Sequence, residues 1–334
     1  DSELMEKLKK QLNHRRLWPS KVFFEAKQQE QQIRHAKSDH TEYNLEPNIK
    51  TSPGGLRDIQ TITWIVLRHW GVREFSDMAE SNILTESEKK NLESAKQYLL
   101  EIRFALHILT GTDENRLLFE HQQKLARQLN FKDGDQLAVE KFMQSYYRTA
   151  QQVNTINDVL LQSFDEAIIQ TSSKHKKRAV NERFVVINNQ LKATSDKLFH
   201  DHPSALIEMF VIAGSDERIK GFRASTIRQA REHIHLIDDE YRNKEENTEL
   251  FLSLLGSNHH LFTQLRRMGR WGILGAYLPE FGRVIGQMQF DLFHIYTVDA
   301  HTLQVVRNMR RFRYKNNEQK FPVAAHIHPR LPRV

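Results

Sequence analysis

The apolar positions of the chain fall mostly at helical spacing. Leu56, Ile59, Thr63, Val66 and Trp70 share one face of a segment that closes at Gly71, which predicts a helix over 56–70. Leu92, Ala95, Leu99, Ile102, Leu106 and Leu109 mark a second helix, opened by Thr85 and Glu88 at capping-box spacing and stopped by Gly111. A third, from about Asp135 to Ile169, carries Val139, Phe142, Tyr146, Val153, Ile156, Leu160 and Phe164. The three read as an antiparallel helical assembly whose aromatic stripe is core. Residues 1–40 read as helix broken at Pro19, with Phe23, Phe24, Ala26 and Ile33 as an intermittent apolar stripe and "QQEQQIRHAK" as its solvated flank. Between these elements, 41–55 is extended or looped, because Pro47, Pro53, Gly54 and Gly55 forbid a continuous helix.

The pattern changes after residue 170. "QTSSKHKKRAVNER" is polar, basic and aperiodic and reads as a linker, and "RFVVINNQLKA" reads as a small β-hairpin turning at Asn188–Asn189. Helical spacing returns over 203–213, 224–242, 246–255 and 259–271, and a glycine-studded stretch leads to a last helix at 297–312. No internal repeat or low-complexity tract interrupts this order. The fold class read here is mainly α with one small β-hairpin.

Composition narrows the class. With 334 residues, 27% charged and 39% apolar, the chain is long enough for two or three domains with a sizeable core. Thirteen glycines and eight prolines are few, which again favours helices. The absence of cysteine excludes a disulfide framework and thiolate metal sites and suits a reducing, cytoplasmic setting. No apolar run approaches the roughly 20 residues of a membrane span. The first residues lack an initiator Met and a signal-peptide core, the last end in a proline-broken segment, and both ends read as cut from something longer. A net charge of +7 permits phosphate contact without choosing among phosphates, and pairs such as Arg266–Arg267 and Arg310–Arg311 read as solvated faces.

One stretch concentrates candidate chemistry. "NLEPNIKTSPGGLRDIQ" sets Gly54 and Gly55 at a helix start between Lys50 and Arg57. A helix N-terminus offers unpaired N–H groups and partial positive charge, glycines allow close backbone approach, and two cations neutralise a triphosphate. Asp58 is placed to orient Arg57 or to reach a metal-bound water. A tight turn with a helix cap explains the same spacing, and the spacing alone leaves both open. A P-loop is excluded by the missing Gly-Lys-Ser/Thr. His259, His260, His294, His301, His326 and His328 cluster late in the chain, where surface or capping roles fit most of them. His200–Asp201 abuts Pro203 in a turn and reads as an N-cap region, not a metal doublet. There is no HExxH, GxSxG or GxGxxG, and no Gly-Ser followed by two spaced aspartates of the kind that hold two metal ions.

At these residues the chain resembles a known family. "YNLEPNIKTSPGGLRDIQTITWI", with "WPSKVFFEAKQQEQQIRH" before it and "AVEKFMQSYYRTA" after it, is similar to the bifunctional PII uridylyltransferase/uridylyl-removing enzymes of bacterial nitrogen signalling. "LRRMGRWGILGAYLPEFGRVIGQMQFDLFHIYTVDAHTL" is similar to the same family where its HD hydrolase domain starts. The resemblance is collinear over nearly the whole chain. It implies four segments: 1–170 as the helical C-terminal part of the uridylyltransferase region, 171–200 as basic linker and hairpin, 201–288 as a helical connection, and 289–334 as the truncated start of the HD domain.

It also implies chemistry. The family moves UMP from UTP to a tyrosine of the trimeric signal protein PII, removes it by hydrolysis and senses glutamine through further domains. Two Mg²⁺, or Mn²⁺ in their place, would serve the transfer, with one activating the tyrosine hydroxyl and one on the UTP phosphates. Lys50, Gly54, Gly55, Arg57 and Asp58 match the run beside the transferase site and are expected at the nucleotide phosphates. His301 matches the first histidine of the HD metal set. Where the family reads Asp-Glu-His this chain reads Asp299-Ala300-His301, and loss of a glutamate that supports a ligand weakens hydrolysis. The metal-binding aspartates are expected upstream of this chain and the HD doublet beyond it, which leaves both catalytic centres incomplete here. Two alternatives stand beside this reading. One is a non-catalytic helical scaffold that docks PII or couples catalytic domains. The other is an RNA-tailing relative, disfavoured because the cations are dispersed without interleaved aromatics.

Overall fold

The computed structural model describes residues 2–12, 18–38, 43–170, 176–257, 259–290, 296–312, 319–327 and 330. His294, His328 and the linker residues 171–175 lie outside the described residues. The chain divides into two compact units, Asp1–Ser173 with Met288–Ile295, and Lys174–Gln287 with Tyr296–Val334.

The first unit contains helices α1 (Ser2–Leu12), α2 (Ser20–Ala36), α3 (Leu56–Trp70), α4 (Phe75–Glu80), α5 (Glu86–Thr110), α6 (Phe119–Gln128) and α7 (Ala138–Phe164). The predicted stops hold: Gly71 and Gly111 are left-handed C-caps of α3 and α5. The capping box also forms, with Thr85 Oγ1 accepting from Glu88 N at 3.1 Å and Glu88 Oε2 accepting from Thr85 N at 3.0 Å. Such a cap contributes about 1 kcal/mol. Helices α4 and α6 are additions to the sequence pattern, which misses them because they are short and mostly polar. The third long helix ends earlier than its apolar pattern suggests, and Asp165–Ile169 continues it as a π-helical turn.

Helix α7 packs against α3, α5 and α6. Phe142, Met143, Tyr146, Tyr147, Ala150, Val153 and Ile156 along it are fully buried. Each large side chain among them contributes roughly 1.5–3 kcal/mol by burial. The loop before α3 is tied down at several points. Tyr147 donates its hydroxyl to Asn44 O at 2.9 Å, and Gln122 Nε2 donates to Leu45 O and Leu117 O, both at 2.7 Å. Asn48 pairs with Arg116 in an antiparallel bridge. What the sequence leaves as extended or looped is therefore fastened by side-chain hydrogen bonds and one β-bridge.

The second unit opens on a four-stranded sheet in the order β1 (Lys177–Ala179), β2 (Phe184–Ile187), β3 (Gln190–Ala193), β4 (Gly221–Phe222). The predicted hairpin is its centre. Asn188 and Asn189, at φ 50° and 64°, make the left-handed two-residue turn that matches strand twist. Residues 177–179 fall in the segment expected as linker, yet they form its antiparallel neighbour, while β4 joins in parallel from far along the chain.

Among the described residues, ten α-helices complete the unit: α8 (Leu198–Asp201), α9 (Ala205–Ser215), α10 (Ala224–Glu232), α11 (Asp239–Asn243), α12 (Glu245–Gly256), α13 (Leu261–Arg270), α14 (Ile273–Tyr277), α15 (Pro279–Val284), α16 (Val298–Arg311) and α17 (Pro322–Ile327). Phe210, Phe222 and Trp271 form an aromatic cluster at its core, with ring centres 5.1–5.6 Å apart. Of the arginine pairs, Arg266 and Arg311 are exposed as their spacing implies, while Arg267 and Arg310 turn inward. Arg310 donates to Leu255 O at 2.9 Å and to Ser257 O, capping α12, and Arg267 donates to Lys220 O at 2.9 Å.

Burial raises the phenols of Tyr146, Tyr147 and Tyr241 well above the ordinary tyrosine value near 10. A raised folded-state value means the fold holds its protons longer than the unfolded chain does. Their contribution to stability is then complete below about pH 10 and declines as pH rises above it. In a spectrophotometric titration of the eight tyrosines, these three should stay silent near pH 10 and ionise only with loss of the far-ultraviolet helical signal.

Candidate functional site

The glycine element is a compact turn leading into α3. Asn48 Oδ1 accepts from Lys50 N at 3.1 Å and Thr51 N at 2.9 Å, and Ser52 Oγ accepts from Asn48 N at 2.9 Å. This side-chain-to-backbone turn folds the chain back over the start of the helix. The helix's own N–H groups are consequently occupied: Gly55 N donates to Ser52 O, Leu56 N to Ile49 O, Arg57 N to Lys50 O and Asp58 N to Gly55 O, at 2.8–3.0 Å. The expectation of free helix-terminal donors for an anion is therefore not met, because the preceding turn supplies the acceptors.

The glycines answer to packing. Gly54 sits at φ +77°, and a Cβ there would lie 1.9 Å from Ala150 O on α7. At Gly55 a Cβ would lie 2.6 Å from Ile49 O. Neither position admits a side chain without displacing backbone.

Asp58 faces inward and is fully buried. Its Oδ2 accepts from Gly54 N at 2.7 Å, and its Oδ1 pairs with Arg34 Nη1 at 2.8 Å. His35 Nε2 lies 3.0 and 3.1 Å from its two oxygens. Arg34 also donates to Thr51 O at 3.2 Å. Asp58 thus binds two neighbours on α2 and the glycine turn. The expectation that it orients Arg57 or reaches a metal-bound water is corrected, because both carboxylate oxygens are taken up by these buried partners. A carboxylate at a buried helix start requires a cation and further hydrogen-bond partners, and that is the signal for Arg34 and His35. The polar run that contains them hides it, since it reads as a solvated flank.

Lys50 and Arg57 remain half-exposed at this turn, linked through the Arg57 N to Lys50 O hydrogen bond at 2.8 Å. Among the described residues, neither side chain pairs with a carboxylate. The Arg57 guanidinium lies 5.3 Å from the centre of the Trp64 ring, and Lys27 Nζ lies 4.7 Å from the same ring. The site is thus rich in donors and positive charge and suits an anion.

The later histidines do not converge. His301 is exposed on α16, and among the described residues no group of three or more His, Cys, Asp or Glu is placed to hold a metal ion. His259 pairs with Glu217 at 2.7 Å, His260 opens α13 with φ 54°, and His326 is exposed. His200 and Asp201 meet at 2.9 Å on the exposed end of α8.

Comparison with known proteins places this turn within a family. The profile described as GlnD PII-uridylyltransferase matches residues 22–161, and that described as uridylyltransferase GlnD third domain matches 184–277. A bifunctional uridylyltransferase/uridylyl-removing enzyme of Pseudomonas aeruginosa is 48% identical over 95% of this chain and 35% of its own length. Those of Pseudomonas fluorescens and Azotobacter vinelandii are 46% and 45% identical, over 95% and 99% of this chain and 35% and 37% of theirs. The chain belongs to the GlnD PII-uridylyltransferase family. It spans about a third of the length of the curated relatives it matches. The glycine turn falls inside the first matched segment, and His301 lies outside both. No solved structure matches the chain.

The packing account is open to test by chemical denaturation. Gly54→Ala should cost about 2–5 kcal/mol, combining a left-handed backbone penalty of about 1–2 kcal/mol with overpacking of about 1–3 kcal/mol. Gly71→Ala, at the same φ of +77° but with nothing within 4 Å of the added carbon, should cost only about 1–2 kcal/mol. Equal costs at the two sites would remove the steric role given to Gly54. Asp58→Asn, which removes the buried carboxylate from Arg34 and leaves it only the partly exposed Glu30, should cost about 3–5 kcal/mol.

Proposed function

We propose that this chain serves an enzyme that transfers UMP from UTP to a tyrosine of the nitrogen-regulatory protein PII and removes it again by hydrolysis, with Lys50 and Arg57 meeting the UTP phosphates. The carrying observation is two half-exposed cations borne by one turn, their backbones joined by the Arg57 N to Lys50 O bond, with no carboxylate partner for either among the described residues. The two activities are those named for the relatives. In the transfer, the tyrosine oxygen bonds to the α-phosphorus and the bond to the departing pyrophosphate breaks, so negative charge grows on the leaving group. Fixed cations there stabilise the transition state more than the ground state. Gly54, Gly55 and Asp58 serve by holding the turn that presents both cations.

A magnesium or manganese ion belongs to this reading of the whole enzyme, but the described residues do not fit one. Asp58 is engaged by Arg34, His35 and Gly54, and His301 stands apart from other ligands. The chemistry these residues supply is therefore charge stabilisation alone. The 334 residues by themselves are proposed to be inactive, since they carry no Gly-Ser followed by two spaced aspartates of the kind that hold two metal ions. The glutamine response, the HD hydrolase role of the region around His301 and a cytoplasmic setting go with the same reading. Among the described residues, no helix is long and apolar enough to cross a membrane.

Labelled UTP, Mg²⁺ and purified PII test the proposal. The chain alone should bind UTP and transfer no label, and extension with the N-terminal region of the P. aeruginosa relative should restore transfer. In the double variant Lys50→Met, Arg57→Gln, UTP affinity should fall at least about tenfold, the size expected from losing charge-assisted contacts. Unchanged UTP affinity together with an unchanged transfer rate would refute the phosphate role.

A further inference from the structure

The surroundings of Trp64 extend this site beyond the residues that the glycine motif marks. The Arg57 guanidinium and Lys27 Nζ lie 5.3 and 4.7 Å from the centre of one indole, although they come from different helices. Two like charges are thus held near each other by a shared ring that carries no charge of its own. The geometry points to Lys27 and Trp64 as parts of a polyphosphate-binding surface with Arg57 and Lys50, an assignment that rests on the phosphate reading of those two cations.

Three observations support it. Helical spacing puts Arg57 and Trp64, seven residues apart, on one face of α3, so the ring supports the arginine from the following turns. Lys27 is on α2, four residues after Phe23, whose ring centre lies 6.0 Å from its ammonium. The two aromatic rings hold the ammonium by cation–π attraction, which uses the ring faces and leaves its N–H donors and its charge to offer. The charge count is unbalanced. The carboxylate near Lys27 is Glu30, at 3.5 Å, and Glu30 is shared with Arg34 at 3.2 Å. Lys50 and Arg57 have no carboxylate among the described residues.

A chain of phosphoryl groups carries negative charge at intervals along its length. It can engage Lys27 and Arg57 together across the indole, whereas a lone phosphate reaches them less well. The ligand class is therefore a polyphosphate, either the triphosphate of a nucleotide or a pyrophosphate leaving group. The recognition is by charge and direct donors, not by a helix terminus, because the N–H groups of α3 are already bonded.

Calorimetric titration of the chain at fixed salt with inorganic tripolyphosphate, pyrophosphate, phosphate and UTP tests this. Tripolyphosphate should bind at least about tenfold more tightly than phosphate. Lys27→Met and Arg57→Gln should each weaken it by about tenfold, as expected for one lost charge-assisted contact, while Lys27→Arg should restore it. Circular dichroism melts confirm that each variant is folded. If Lys27→Met binds tripolyphosphate and UTP as tightly as the parent while Lys50→Met and Arg57→Gln do not, the inference fails and the UTP reading stands. If Lys27→Met loses tripolyphosphate but keeps UTP, the anion site stands and its service to UTP fails. No affinity for any polyphosphate, or tighter salt-sensitive binding of single-stranded RNA, overturns the inference itself.

Discussion

The buried carboxylate of Asp58 is the constraint on which the candidate site depends. It lies at the start of α3 and meets, within 3.1 Å, the Gly54 N–H, the Arg34 guanidinium and the His35 ring. An uncompensated carboxylate in such a place would cost several kcal/mol, so the anion and its partners act as one unit. Through Gly54 the unit sets the turn, and through Arg34 and His35 it fastens α2 to α3. Since α2 carries Lys27 and the turn carries Lys50, one internal charge fixes the placement of external ones.

The glycines extend the same logic to α7. With no Cβ at Gly54, the turn settles against the Ala150 carbonyl, and the hydroxyl of Tyr147 on the same helix fastens Asn44 upstream. A phosphate-binding loop and a close-packed turn make the same demand for glycine, because both need backbone to approach something closely. What separates them is the direction of the N–H groups. Here those groups point into carbonyls of residues 49–55. Side chains, not the helix terminus, are left to meet a ligand.

Much of this was legible in the sequence, and the limits have physical causes. Helices α3, α5 and α7 carry apolar faces that repeat over several turns, so their type was readable. Gly71, Gly111 and the Thr85–Glu88 box made the ends of α3 and α5 readable, whereas α7 has no such punctuation and its apolar pattern misplaces its ends by a few residues. The hairpin was readable because paired asparagines accept positive φ. Strand β4 is a two-residue element that reaches the sheet from well beyond the hairpin, which no local pattern encodes. The site divides in the same way. Lys50, Gly54, Gly55, Arg57 and Asp58 announce themselves by proximity, but their separate jobs depend on which way each side chain faces. Arg34 and His35 look like solvent-facing polar residues because their partner lies 23 or more positions ahead.

Placing the cations outside the buried network has a consequence for electrostatics. Arg34 is neutralised by Asp58 in a buried position, so its charge adds little to the field at the surface. Arg57 and Lys50 keep theirs, because neither has a carboxylate partner among the described residues and the ring beside Arg57 attracts it through its quadrupole without cancelling its charge. Had Asp58 faced Arg57, the same residues would have made a neutral, self-satisfied turn with nothing to offer an anion. The inward carboxylate is thus what allows two adjacent residues, Arg57 and Asp58, to act oppositely, one leaving the turn able to bind and the other closing the structure beneath it.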